Sequence, residues 1–345
     1  MDVKTLRDVA RERLKGFCRV CPVCDGRACV GEVPGMGGIR TGTAFRANIM
    51  ELERLCLNPR VLHDVRSPET TCNILGFPLS MPILVAPMAG TSFNMGGCIS
   101  EEDFALAMVE GARQAGTIAC TGDGTSGGFR GGIKAITSAG GWGIPVIKPW
   151  AQDTVHRRLE SAAKAGCKAV GMDIDKVVPS ALVTNTPSVS PKSPDEVRSM
   201  VEQAHGHGLK FFLKGIMSVE DSRLAAACGC DAIVVSNHGG RVLEAMPGTA
   251  AVLPGIAHAV PGMPVLADGG IRTGADVLKM LALGACAVLV GRPMAVAALG
   301  GGASGVSMWL KRLHRQLWEA MLMTGCATLR ETGSHLLALP RFAKA

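Results

Sequence analysis

A chain of 345 residues with 47% hydrophobic residues and 44 glycines can bury one large core, and nothing in it is low-complexity, repeat-built or disordered in composition. The net charge of +7 is modest and dispersed, and the one basic group, Lys311, Arg312, His314 and Arg315, is read as a solvated helix face, so no nucleic-acid partner is expected. No apolar run reaches membrane-spanning length, and thirteen cysteines without a secretory pattern point to a reducing, cytoplasmic compartment.

Met1–Arg13 is charged and helical in pattern, unlike a signal peptide. Next comes Cys18-Arg-Val-Cys21-Pro-Val-Cys24-Asp-Gly-Arg-Ala-Cys29. This C-x2-C-x2-C-x4-C spacing leaves three readings open: an iron–sulfur cluster, a zinc ion, or reduced cysteines that bind no metal. Gly31–Gly38 has turn composition, and a helix is expected around Phe45–Leu57. From Ile83 onward, short apolar runs alternate with amphipathic stretches. Strands are predicted at Ile83–Ala89, Thr117–Thr121, Pro145–Pro149, Ala169–Ile174, Lys210–Gly215, Ala232–Asn237, Pro264–Ala267 and Ala287–Val290. Helices are predicted at Glu102–Gln114, Val155–Ala165, Pro194–His205, Val219–Ala227 and Gly274–Leu283, with Ser193, Ser218 and Thr273 as N-caps. Eight strand–helix units predict an α/β fold, a single (β/α)8 TIM barrel over residues 81–345, preceded by an N-terminal extension over residues 1–80. A doubly wound sheet fits less well, because eight units leave no chain for a second domain.

In such a barrel the reactive groups sit at the C-terminal ends of the strands. Strand six ends in Ser236-Asn237-His238-Gly239-Gly240-Arg241, placing an imidazole and a guanidinium at one mouth. Strand seven ends in Asp268-Gly269-Gly270-Ile271-Arg272 and strand eight in Gly291-Arg292-Pro293, two glycine turns that each carry an arginine, as a phosphate seat requires. Lys214 ends strand five, where an ammonium neutralises an anion, forms a Schiff base or pairs with a neighbouring acid. Aldolase chemistry would use Lys214 but leave His238 and Arg241 without a task.

Together with Asn58-Pro59-Arg60-Val61-Leu62, Leu75-Gly76-Phe77 and Met81-Pro82-Ile83-Leu84-Val85-Ala86-Pro87, these segments resemble the FMN-dependent α-hydroxy-acid dehydrogenase/oxidase family, the group of glycolate and lactate oxidases. The resemblance implies that Ala86, Pro87, Met88, Lys148, Lys214 and Ser236 line the flavin, and that Gly269, Gly270, Arg272, Gly291 and Arg292 hold its phosphate. It further implies that His238 takes the substrate hydroxyl proton, Arg241 grips the carboxylate and Asp268 orients His238. The substrate would be a 2-hydroxy or 2-oxo acid, the electron acceptor is left open, and a homotetramer is implied.

The departures concern the substrate wall. The chain has no tyrosine, whereas the family places one on the N-terminal segment and one after strand three. Trp150 stands at the second of these positions, Lys148 replaces a flavin-contacting glutamine, Asp173 replaces a threonine, and no second arginine is found near Leu182. Lys148 and Asp173 are expected either to pair or to join the catalytic set, with Trp150, Asp173 and Asp123 as candidate substrate contacts. Residues 1–80 are expected to bring the Cys-rich loop over the mouth. Two other readings stay open: an FMN-dependent isomerase without net redox change, and a flavin- or metal-binding sensor without catalysis.

Overall fold

The computed structural model describes residues 2–124, 127–177 and 189–338. Eight parallel strands, β1 Ile83–Val85, β2 Cys120–Thr121, β3 Ile144–Ile147, β4 Ala169–Asp173, β5 Lys210–Ile216, β6 Ala232–Val235, β7 Val265–Ala267 and β8 Ala287–Val290, follow one another around a ring. β1 pairs with β8 through Ile83, Leu84 and Val85, and a single parallel bridge between Val85 and Ala119 brings it against the β2 side. This seam is thin: Val85 N–H donates to Ile118 O at 3.1 Å, and the Thr117 hydroxyl donates to Ile83 O at 2.7 Å. The (β/α)8 barrel expected from the alternating pattern is the fold observed.

The strands form where apolar, β-branched runs can be buried on both faces, as in the all-buried β6 (Ala-Ile-Val-Val) and β8 (Ala-Val-Leu-Val). Alternate residues divide by the two-residue period. Leu84, Val146, Phe212, Val234, Leu266 and Leu289 fill the barrel, whereas Val85, Ile147, Val170, Leu213 and Val235 face the helices. Gly171 is required beside Phe212, because a Cβ there would run into its ring. A hairpin of Cys72–Ile74 and Phe77–Leu79 plugs the N-terminal end, with Phe77 fully buried and its ring edge-on to Trp142 at 5.4 Å.

The expected caps are present. Ser193 and Thr273 form capping boxes with Glu196 and Asp276, and Ser218 accepts from Asp221 N–H. Helix bounds differ from those predicted by one to three residues at Glu101–Gln114, Gln152–Lys164, Pro194–Gly206 and Gly274–Ala282, and Val219–Ala227 coincides. The N-terminal helix Val3–Arg13 buries Leu6 and Ala10 against the last helix, Arg292–Thr324, which bends at Gly302. Gly300 lets the two backbones meet, since a Cβ there would strike Leu6 O. The helix Thr43–Arg54 packs beneath the strand-six and strand-seven turns, while residues 14–42 contain no helix or strand. The expected position near Leu182 lies outside the described residues.

Candidate active site

The C-terminal strand ends enclose a cavity of ≈ 910 Å³. His238 enters it from the end of β6 in the left-handed region (φ 55°), followed by Gly239 and Gly240 at φ 63° and 76°. The turn has to be glycine, because a Cβ on Gly240 would collide with the Phe45 backbone. Beneath it, Asn237 and Asn48 are fully buried and exchange amide hydrogen bonds at 2.8 and 3.0 Å, and Ser236 Oγ accepts the His238 N–H at 3.1 Å. The imidazole is therefore set by a rigid polar base.

Its Nδ1 lies 3.1 Å from Asp175 Oδ1 and 3.9 Å from Asp173 Oδ1. Asp175 has room because Gly215, at φ 108°, has no Cβ, which would otherwise sit 2.5 Å from Asp175 Cγ. Burial raises the Asp175 carboxyl, but the facing His238 and then Lys214 outweigh it, so its pKa falls below the ordinary carboxylate value. With Nδ1 engaged, Nε2 is the ring atom left to take a proton. The acid that meets the imidazole is thus Asp175 and not Asp268, which forms no hydrogen bond or ion pair with His238 among the described residues. Asp175 was visible in the Met172-Asp173-Ile174-Asp175 run; its alternation with Asp173 at the strand end was the available signal.

Lys214 is buried, with Nζ 3.1 Å from Asp173 and 3.6 Å from Asp268. Burial opposes its charge, yet Asp173, Asp268 and Asp175 together hold its pKa above the usual lysine value. The partner of Asp173 is therefore Lys214 rather than Lys148. Lys148 Nζ instead lies 5.5 Å from the Trp150 ring centroid. Trp150 is buried away from the cavity wall, its indole N–H donating to Asp123 Oδ2 at 2.5 Å. Asp123 reaches the wall but is occupied by Trp150, by Lys148 N–H at 3.3 Å and by Arg158 at 3.2 Å. Trp150 thus stays off the wall, whereas Asp123 reaches it with both carboxylate oxygens facing protein partners. Ser236 also lies behind the wall, which Ala86, Pro87 and Met88 do line.

Three arginines converge with the N-terminal segment. Arg241 spends both Nη1 hydrogens on Gly35 O and Gly37 O (2.8 and 2.7 Å) and one from Nη2 on Asn94 Oδ1 (2.7 Å). Of its five donors two remain, including Nε–H. Burial and the neighbouring Arg292 push its pKa down to about 9, so it stays charged at neutral pH. Arg292 donates to Met36 O and Gly239 O at 2.7 and 2.9 Å and lies 3.8 Å over the Phe45 ring. Arg272 is outside the wall, with Nε on Cys24 O (3.1 Å) and Nη2 at Cys24 Sγ (3.4 Å). The N–H groups of Gly269, Gly270 and Gly291 donate to no protein acceptor among the described residues. Lys176 lines the same cavity unforeseen; burial, then the charges of Arg241 and Lys148, lower its pKa. Cys18, Cys21, Cys24 and Cys29 are partly buried and unpaired.

The FMN-dependent dehydrogenase family matches residues 36–196 and 187–339 of the chain. An L-lactate oxidase of Nostoc sp. is 32% identical over 340 residues, covering 86% of this chain and 90% of that protein. A 4-hydroxymandelate oxidase of Amycolatopsis orientalis is 33% identical over 342 residues, covering 85% and 89%. Among solved structures, a mandelate oxidase with (S)-2-phenylpropionate superposes with a TM-score of 0.76 at 31% identity over 97% of both chains.

Proposed function

Because the chain belongs to the FMN-dependent dehydrogenase family, we propose that its barrel mouth seats FMN and oxidises a small 2-hydroxy acid to the 2-oxo acid. The observation that carries this reading is the Asp175–His238 pair opening onto the same cavity as Lys214 and Arg241.

The cavity residues fit the cofactor. The volume falls within the range of about 300–1,000 Å³ usual for ligand pockets. Asp268 Oδ1 is buried without a partner, an acceptor suited to a ribityl hydroxyl. The open N–H groups of Gly269, Gly270 and Gly291, with Arg292 beside them, suit a phosphate, and Arg272 completes that end from behind the Cys24 loop. Lys214, charged and fixed by two carboxylates, would stabilise negative charge on the ring system. FMN, when bound, supplies the acceptor for the hydride equivalent leaving the substrate α-carbon.

The chain's own residues do the rest. His238 Nε2 takes the proton of the α-hydroxyl, and Asp175 stabilises the resulting imidazolium. Arg241 offers its two remaining donors to the carboxylate. Lys176, near Arg241, supplies the second cation that the missing arginine would have given. We also read residues 1–80 as an extension whose stretch Gly35–Gly37 covers the mouth, a placement supported by its carbonyls on Arg241 and Arg292. No helix among the described residues is long and apolar enough to cross a membrane. The family likeness supports a homotetramer, to be read by sedimentation velocity, and the thirteen unpaired cysteines support a cytoplasmic setting, to be read by fractionation.

The test is anaerobic addition of a panel of 2-hydroxy acids to the FMN-loaded protein. Bleaching of the flavin bands by at least one acid, lost in His238→Ala with FMN still bound, is the expected result. Turnover only after prior reduction of the flavin would instead identify an isomerase, and a flavin that responds to neither treatment would identify a sensor.

A further inference from the structure

We infer that Cys18, Cys21, Cys24 and Cys29 together ligate a four-iron iron–sulfur cluster, built against the phosphate end of the flavin seat. The four thiols fall on a stretch that has neither helix nor strand and is held by cations instead of by a core of its own. Arg7 donates to Val20 O and Cys21 O at 3.0 and 2.5 Å, and Arg11 donates to Val20 O at 3.3 Å. An irregular segment of this length inside a compact fold is ordinarily a functional one. Val20 sits at φ 47°, a conformation that costs a β-branched residue energy. The turn it makes directs its N–H toward Cys18 Sγ at 3.4 Å, an N–H···S contact of the kind that tunes cluster sulfurs.

Charge separates a metal centre from metal-free thiols, and spacing separates the cluster from zinc. Four thiolates on a metal centre leave a net negative charge, and here Arg272 Nη2 lies 3.4 Å from Cys24 Sγ. Arg292 is fixed to the same stretch through Met36 O at 2.7 Å. Such a guanidinium shell stabilises an anionic centre. A zinc ion with bonds of about 2.3 Å at tetrahedral angles draws its sulfurs to roughly 3.8 Å from one another. Among the described residues the only group of three or more donor atoms that all lie within 4.8 Å is Asp173, Asp175 and His238, so the cysteine sulfurs are spread more widely than zinc requires. A cube that takes one thiolate on each iron holds its thiolates farther apart than a single ion does; the C-x2-C-x2-C run matches three of its ligands, and Cys29 is assigned as the fourth. A redox dithiol would employ two of the four thiols and leave the others, and the guanidiniums around them, without a role.

The site bears on the flavin. Arg272 is fixed by Cys24 O and Sγ, and Arg292 by the carbonyl of Met36 further along the same stretch. Resting on the flavin seat proposed above, the cluster thereby sets the two arginines that close the phosphate end, and its loss weakens FMN binding by about tenfold, as removal of supporting contacts does elsewhere.

The full chain, purified anaerobically, is assayed for iron, acid-labile sulfide and zinc, and by electron paramagnetic resonance after dithionite reduction. The expected result is about four iron and four sulfide per chain with a reduced-cluster signal. Both should be absent in Cys21→Ser/Cys24→Ser and retained in Cys56→Ser/Cys98→Ser, which alters exposed cysteines elsewhere. Stoichiometric zinc, a two-iron stoichiometry, or no cluster after reconstitution of the wild-type chain with ferrous iron and sulfide overturns the assignment. FMN titration follows separately, and equal affinity with and without the cluster overturns the coupling. A chain that holds its cluster but binds no FMN overturns the flavin seat and leaves the metal site standing.

Discussion

Replacing Asp175 by Asn keeps the shape beside His238 and removes the charge. In the reaction proposed, His238 becomes a cation 3.1 Å from the Asp175 oxygen. Opposite charges about 4 Å apart at an effective dielectric of about 20 attract by about 4 kcal/mol. The pair is partly open to solvent, with side-chain exposures of 21% and 10%, so about 3 kcal/mol of transition-state support is the expected loss. That is roughly a hundredfold in the rate of flavin reduction. The assay is anaerobic stopped-flow at saturating 2-hydroxy acid, with Asp268→Asn alongside. Asp268→Asn, which touches Lys214 and not His238, should chiefly weaken FMN binding. The sign with pH follows from the lowered Asp175 pKa: its support is present above the ordinary carboxylate range and is lost as pH falls through the folded value. A reduction rate in Asp175→Asn within about threefold of wild type, with Asp268→Asn slowed a hundredfold, would refute the reasoning and restore the assignment to Asp268.

Three further outcomes can be measured. Lys176→Met should raise KM for the acid by about tenfold with a smaller change in kcat, the pattern of lost carboxylate binding. Because the Lys176 pKa is lowered, wild-type KM should climb as pH rises through that value, below the usual lysine range, and Lys176→Met should flatten the climb; identical pH profiles would count against the role. Trp150→Phe removes the indole donor from Asp123 and should cost about 1–3 kcal/mol of stability while leaving the ranking of substrates unchanged, which a panel of acids would show. Phe77→Ala empties the barrel floor and should cost about 3–5 kcal/mol in urea denaturation, with cofactor affinity unaltered after correction for the folded fraction.

The barrel was legible because its strands are buried on both faces and its helices begin with strong caps at Ser193, Ser218 and Thr273. Two of the barrel helices leave no clear mark in the sequence, for physical reasons. Gly128–Ser138 carries Gly131 and Gly132 inside, and Thr249–Ala259 carries Pro254, so neither shows an uninterrupted amphipathic signature. The floor hairpin has strands of three residues, too short to display a period. At the mouth, strand ends revealed which side chains share a cavity, but not which ones meet. Asp268, Asp173 and Asp175 all end barrel strands, and only the bulge at Gly215 decides that Asp175 reaches the imidazole. Trp150 looked like a wall residue because its number fits the family pattern; its indole N–H turns instead to the buried acid Asp123.

The asymmetric closure of the ring has a consequence for biogenesis. Ile83–Val85 finds its full ladder partner in Val288–Val290, near the far end of the chain, and shares only one bridge with the strand that follows it. On the ribosome this first strand emerges long before the segment it pairs with, so its apolar edge must wait unpaired while the rest of the barrel is synthesised. Closure of the ring therefore comes late in synthesis, and until then Thr117 and Ile118, which bond Ile83 and Val85, are the nearest groups able to shield that strand.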